Sequence, residues 1–149
     1  MWNNDAHGLL FKCSEVKLYS PSHTYGMKLS QLPRQKGTVR IITYKFAALP
    51  YAIEQLARRP HDIKIIVNSK FSPDARRIKK ELPGVEIRVH PELHDKVVLI
   101  EPSTIYMGSA NFGHGGWSES TVGLRSKEAF DWFLKTRWEP LWAESRLVV

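Results

Sequence analysis

The chain has 149 residues, of which 42% are hydrophobic and 25% charged, a balance that excludes wholesale disorder and favours one domain over residues 1–149. Lysine and arginine number 22 against 15 acidic residues, so the formal charge of +7 favours a polyanionic partner. No apolar run approaches the roughly 20 residues that cross a bilayer, and the first residues lack the signal-peptide pattern. The single Cys13 excludes an internal disulfide, so we expect a cytoplasmic protein without stable membrane insertion.

The first quarter of the chain contains few structural signals. Residues 1–15 are interpreted as an N-terminal arm, and residues 16–20 as a short strand that ends before Pro21. Between Pro21 and Gly37, the proline and glycine residues allow at most a short helix near residues 27–32.

From residue 38 onwards, segments rich in β-branched residues alternate with segments of helical periodicity. Strands are predicted over residues 38–46, 63–67, 85–89, 96–101, 105–107 and 121–124. Helices are predicted over residues 50–59, 73–82 and 127–145, with Ser72 as the N-cap of the second and Pro140 as a kink in the third. This alternation predicts an α/β/α sandwich around a mixed central β-sheet.

Polar side chains cluster at the ends of two neighbouring predicted strands. His94 and Lys96 are two residues apart, so on a strand both side chains point to one face. Ser109 and Asn111 have the same relation beyond the next turn, and Gly108 would let a substrate or a second backbone come close. If the two strands pair, the four polar side chains meet on one surface.

These residue types suit chemistry at a phosphodiester. A neutral imidazole such as that of His94 can attack phosphorus or pass a proton. The ammonium of Lys96 and the amide of Asn111 can hold the non-bridging oxygens, and the Ser109 hydroxyl adds another donor. No metal ion or other cofactor is needed for such a step. Glu101 has odd spacing from His94 and faces away in a regular strand, so it is assigned either a structural role or a role in supporting a catalytic side chain.

The same residues resemble the signature of the phospholipase D superfamily. In order, the chain reads His94-x-Lys96, the acid Glu101, and then Gly108-Ser109-x-Asn111. The resemblance extends over about residues 16–145 and is greatest to short bacterial endonucleases that carry one copy of the motif. It implies the phospholipase D-like fold for the predicted sandwich.

The resemblance also implies a mechanism. Single-motif members form homodimers whose active site lies across the two-fold axis. One His94 would attack phosphorus and form a phosphohistidine, while the partner's His94 would protonate the leaving oxygen and then activate water. Lys96 and Asn111 of both chains would hold the phosphate.

Two positions depart from the family pattern. The acid of the first block is usually aspartate, and here it is Glu101. A second acid normally precedes a Val-Gly-like strand and orients the histidine, but Thr121 occupies that position and the nearest acid is Glu119. We predict that Glu119 orients His94, with Thr121 as the alternative.

The remaining predictions concern the substrate. Nucleic acid is favoured because a chain of charge +7 attracts a phosphate backbone. Of the two nucleic acids, DNA is the preferred partner over RNA. The basic face of the second helix is either a nucleic-acid track or a solvated surface, and His114 either lines the mouth of the site or lies in a plain loop. That basic face comprises Arg76, Arg77, Lys79 and Lys80. The alternative functions are a phospholipid phosphodiesterase or transferase and a non-catalytic nucleic-acid-binding subunit.

Overall fold

The computed structural model describes residues 9–12, 14–20, 36–59, 61–109 and 120–148. The strands of this part of the chain are β1 (Leu9–Lys12), β2 (Val16–Ser20), β3 (Val39–Thr43), β4 (Ile63–Asn68), β5 (Glu86–His90), β6 (Lys96–Ile100), β7 (Thr104–Gly108), β8 (Thr121–Arg125) and β9 (Arg146–Leu147). The helices are α1 (Leu49–Ala57), α2 (Ser72–Glu81), α3 (Lys127–Phe133) and α4 (Glu139–Glu144), and a π-helical segment at Leu134–Trp138 joins the last two.

The described strands form one mixed sheet in the order β1-β2-β8-β7-β6-β3-β4-β5-β9. Strands β3, β4 and β5 are parallel, and their crossover connections contain α1 and α2, as parallel neighbours require. The strands on either side of this parallel group pair in antiparallel fashion. The mixed α/β sandwich predicted from the sequence is confirmed.

The hydrophobic core has two parts, one on each face of the sheet. On the first face, strand residues such as Ile41 pack with Leu56 of α1 and the buried side of α2. On the second face, strand residues such as Ile42 pack with Phe130 of α3 and Trp138 of the π-helical segment. Consecutive residues of the central strands therefore serve both layers, so these strands appear in the sequence as unbroken apolar runs.

Some element boundaries and details differ from the prediction. The strand predicted over 38–46 ends at Thr43, and Leu9–Lys12, expected in an arm, forms an edge strand paired with β2. Its four residues are too few to show a clear alternation in the sequence. The short helix predicted near residues 27–32 lies outside the described residues.

Two predictions about the helices were wrong. Ser72 is not the N-cap of α2: a 3₁₀ turn at Ser69–Phe71 precedes the helix, and the Ser72 hydroxyl donates to the Ser69 carbonyl at 2.6 Å. The helix predicted over 127–145 is not one α-helix, because the π-helical segment interrupts it. Pro140 lies in the first turn of α4, directly after that segment, and the kink predicted there stays a prediction.

No helix among the described residues is both long and apolar enough to cross a membrane.

Candidate active site

One edge of the sheet brings together the end of β3 and the beginning of β6. These strands are antiparallel, and their register places Thr43 opposite Lys96. Lys96 is the first residue of β6 and is only 8% exposed, whereas His94 lies just before the strand and is exposed. Lys96 shares the first face of the sheet with Val98 and Ile100, which belong to the core beneath α1 and α2.

The structure places the side chains of His94 and Lys96 in direct contact. The Lys96 Nζ atom lies 3.1 Å from His94 Nδ1 and 3.4 Å from His94 Nε2. The same ammonium donates a hydrogen bond of 2.8 Å to the His94 main-chain carbonyl. An exposed imidazole and a cation therefore share one small surface, which suits a group that is both electrophilic and anionic.

Tyr44 is a neighbour of this pair that the sequence analysis did not single out. It follows β3 directly, and its ring centroid lies 4.7 Å from that of His94 and 5.1 Å from that of Phe71. The Lys96 Nζ atom lies 5.9 Å from the centroid of the Tyr44 ring. The Tyr44 ring therefore packs against the imidazole of His94 and lies near the ammonium of Lys96.

The residues of the second half of the signature lie at the ends of β7 and β8. Gly108 pairs with Thr121, and a Cβ atom at Gly108 would meet Thr121 Oγ1 at 2.7 Å and the Ser120 carbonyl oxygen closer still. The Ser109 hydroxyl accepts a hydrogen bond of 3.1 Å from the Ser120 backbone N–H. The absence of a side chain at Gly108 therefore lets the backbone of β8 come close, which is one of the two roles predicted for this glycine.

Thr121 lies on the same side of the sheet as Gly108, because paired residues of neighbouring strands share a face. It is 2% exposed, and its Oγ1 atom has no hydrogen-bond partner among the residues that the structure describes. Asn111, His114 and Glu119 lie outside the described residues. The proposed choice of Glu119 over Thr121 as the group that orients the histidine therefore stays a prediction.

Glu101 lies at the opposite end of β6 from Lys96. Its Oε1 atom accepts a hydrogen bond of 2.7 Å from Arg40 Nη1 of β3. The Glu101 backbone N–H donates to the Thr38 carbonyl at 3.1 Å. These contacts hold β3 and β6 together at the end of the strands that is remote from His94.

The basic residues predicted to bind nucleic acid lie along α2. Arg77 forms an ion pair of 2.9 Å with Glu81, one helical turn further on. The Lys79 ammonium donates to the carbonyls of Pro83 and Val85, just beyond the end of the helix. Two of the four cations therefore have contacts within the protein, and Arg76 and Lys80 are the better candidates for a nucleic-acid contact.

An apolar cavity of about 690 Å³ adjoins the same edge of the sheet. It includes Lys96 and Gly108 in its lining, together with apolar side chains of β2, β6, β7, β8 and α3. The apolar lining residues are Leu18, Val97, Met107, Val122 and Phe133. The site edge therefore has a polar surface around His94 and an apolar groove beside it.

Within the part of the chain that the structure describes, no group of three or more histidine, cysteine, aspartate or glutamate residues could hold a metal ion. The described part of the site thus consists of an imidazole, an ammonium and hydroxyl groups.

Comparison with known proteins supplies the family. The family described as "Cardiolipin synthase, PLD-like domain" matches residues 29–136, which is more than half of the chain. Among curated proteins, no match was found.

Solved structures support the same fold. The phospholipase D family member Nuc from Salmonella typhimurium is 21% identical with a TM-score of 0.71, and the match covers 90% of this chain and 99% of that one. NucT from Helicobacter pylori is 16% identical with a TM-score of 0.73 and the same coverages, 90% and 99%. The archaeal chromatin protein TrmBL2 is 12% identical with a TM-score of 0.67, and the match covers 91% of this chain and 54% of that one. The family match, the fold and the position of His94 beside Lys96 at one edge of the sheet all agree. The chain therefore belongs to the phospholipase D superfamily.

Proposed function

We propose that the protein is a metal-independent phosphodiesterase that cleaves nucleic acid, with DNA preferred over RNA. The observation that carries the proposal is the contact between an exposed imidazole and an ammonium, 3.1 Å from His94 Nδ1 to Lys96 Nζ. The imidazole is accessible to a phosphorus atom, and the cation can neutralise the oxygens of the same phosphate. Membership of the phospholipase D superfamily supports this reaction class.

The proposed reaction has two displacement steps. A ring nitrogen of His94 forms a bond to phosphorus while the bond from phosphorus to the leaving oxygen breaks. A second imidazole donates a proton to that oxygen, then takes a proton from water as the water oxygen displaces the histidine. Because one chain carries one such motif, the second imidazole comes from a second copy in a homodimer. Lys96 and Asn111 would bind the phosphate, and Glu119 would orient the ring.

Two further observations support nucleic acid as the substrate. The formal charge of +7 favours binding to a polyanion whatever its base sequence. The structure of TrmBL2 is that of a chromatin protein with a novel mode of DNA binding, and its fold is similar over 91% of this chain.

The apolar cavity favours a second candidate, a phospholipid phosphodiester. Its lining residues Val97 and Met107 belong to β6 and β7, and Lys96, the first residue of β6, also lines it. An acyl chain in this groove would place an attached phosphodiester near Lys96. The description of the matching family, which names cardiolipin synthase, is consistent with such a substrate.

A panel of substrates separates these candidates. We expect cleavage of plasmid or single-stranded DNA that persists in EDTA, weaker cleavage of RNA, and no release of headgroups from phosphatidylglycerol vesicles. EDTA has no effect because Lys96 supplies the positive charge that a metal ion would otherwise supply. Strict dependence on added Mg²⁺ or Zn²⁺ would contradict the metal-independent mechanism, and turnover of vesicles alone would favour the phospholipid candidate.

The basic residues of α2 can be tested through the salt dependence of DNA binding. We expect the double variant Arg76→Gln with Lys80→Gln to bind DNA with a weaker salt dependence, since two phosphate contacts are lost. The magnitude of the slope of log K against log salt concentration should fall by about 2 for each bound chain. The control is Arg58→Gln with Lys127→Gln, which removes the same charge from exposed ion pairs at the end of α1 and the start of α3. Equal slopes in the two double variants would show that the α2 face is only solvated.

A further inference from the structure

The segment that carries His94 lies between β5 and β6 and is not part of either strand. Residues 91–95 have no partner strand in the sheet, so the ladder of hydrogen bonds does not set their conformation. A reacting imidazole must nevertheless be held close to one geometry, because even a small displacement of a reacting group lowers the reaction rate strongly. Contacts outside the ladder must therefore hold this segment.

The residue before His94 is fixed from the second face of the sheet. Leu93 is 2% exposed and packs in the core beneath α3 and the π-helical segment. Its carbonyl accepts a hydrogen bond of 2.9 Å from the side-chain amide of Asn68, which is itself buried at the end of β4. The Asn68 amide oxygen in turn accepts from the Lys70 backbone N–H at 3.0 Å.

The residue after His94 is held by a different element. The Asp95 carboxylate accepts two hydrogen bonds from the Arg137 guanidinium, 2.9 Å from Nη2 to Oδ1 and 3.2 Å from Nε to Oδ2. A bidentate pair of this kind fixes the direction of the carboxylate as well as its distance. Arg137 lies in the π-helical segment, a helix form found frequently at functional sites.

We propose that Arg137 is a positioning residue for His94 and acts through Asp95. With Leu93 fixed on one side and Asp95 on the other, the direction of the His94 side chain is set relative to Lys96. The ion pair is 42% exposed at Arg137 and 26% at Asp95, so it contributes little to global stability and acts on local geometry. The inference rests on the proposed phosphodiesterase function, since it assigns a role in that reaction.

The test compares Arg137→Gln, Arg137→Lys and Asp95→Asn with wild type on a chromogenic diester, bis(p-nitrophenyl) phosphate. We expect kcat to fall by about 10- to 100-fold in all three, with KM and the melting temperature close to wild type. Arg137→Lys keeps the charge but loses the two-pronged hydrogen bonding, so it should not restore the rate. The control is Arg58→Gln, which breaks an exposed ion pair near the end of α1.

A second readout does not depend on activity. The ring signals of His94, assigned by their absence in His94→Ala, should move in the NMR spectra of Arg137→Gln and Asp95→Asn and stay in place in Arg58→Gln. A wild type that cleaves no phosphodiester would refute the proposed function, and the ring signals would then decide the positioning role alone. In an active enzyme, an Arg137→Gln variant with the kcat of Arg58→Gln overturns the proposal. So does a loss of kcat that is accompanied by an equal rise in KM or by a lowered melting temperature.

Discussion

Replacement of His94 by alanine should abolish phosphodiester cleavage and leave the fold intact. The imidazole forms the bond to phosphorus in the proposed reaction, and the methyl group of alanine cannot do so. We expect the rate to fall by about 10³-fold or more, since both the nucleophile and the proton-transfer group are lost. The fold should persist because His94 is exposed and lies outside the strands.

The measurement is the initial rate on DNA and on a chromogenic diester, with circular dichroism to check the fold. His61→Ala is the matched control, since it removes the imidazole of an exposed histidine that precedes β4. Full activity in His94→Ala, or substrate phosphate trapped on a residue other than histidine, would refute the mechanism. Activity that stays with a monomer in sedimentation experiments would refute only the site shared by two chains.

Replacement of Gly108 by alanine should have the largest effect on stability among single substitutions at the site. The added Cβ would lie 2.7 Å from Thr121 Oγ1 and 2.8 Å from Thr121 Cα, with the Ser120 carbonyl oxygen also in the way. Most of these are backbone atoms, so β7 and β8 must separate where Gly108 pairs with Thr121. Overpacking of this kind lowers the free energy of unfolding by about 1–3 kcal/mol.

Urea denaturation measures the effect, and Thr121→Ala provides the control. Alone, Thr121→Ala removes a buried hydroxyl that has no hydrogen-bond partner within the described part of the chain, and it should change the free energy of unfolding little. Combined with Gly108→Ala, Thr121→Ala removes only the contact between the added Cβ and Thr121 Oγ1. The free energy of unfolding should therefore recover little. Full recovery in the double variant would show that the backbone contacts with β8 are not the cause.

Residues with strong local patterns were predictable from the sequence. The apolar run of β6 predicted a strand buried on both faces. The two-residue spacing predicted His94 and Lys96 on one side, and the two side chains do meet, although His94 lies just before the strand. Tyr44 was not predictable as a neighbour of His94, because its place depends on β3 lying beside β6, and strand order is not encoded in any local pattern. The contact between Asp95 and Arg137 was not predictable either, because these residues lie far apart in the sequence and meet only through the packing of the last helical segments.

The π-helical segment also determines where the length of the last helix can change. A π-helical turn contains about one residue more than an α-helical turn, and each residue of an α-helix turns the chain by about 100°. Deletion of one exposed residue of the segment, Lys135 or Thr136, would therefore let it close to an α-helical turn with Trp138 and Leu141 still facing the core. The same deletion within α3 or α4 would turn the residues beyond it by about 100° and take their apolar side chains away from the core. The π-helical segment is thus the point at which this helix can lose a residue and keep its apolar face.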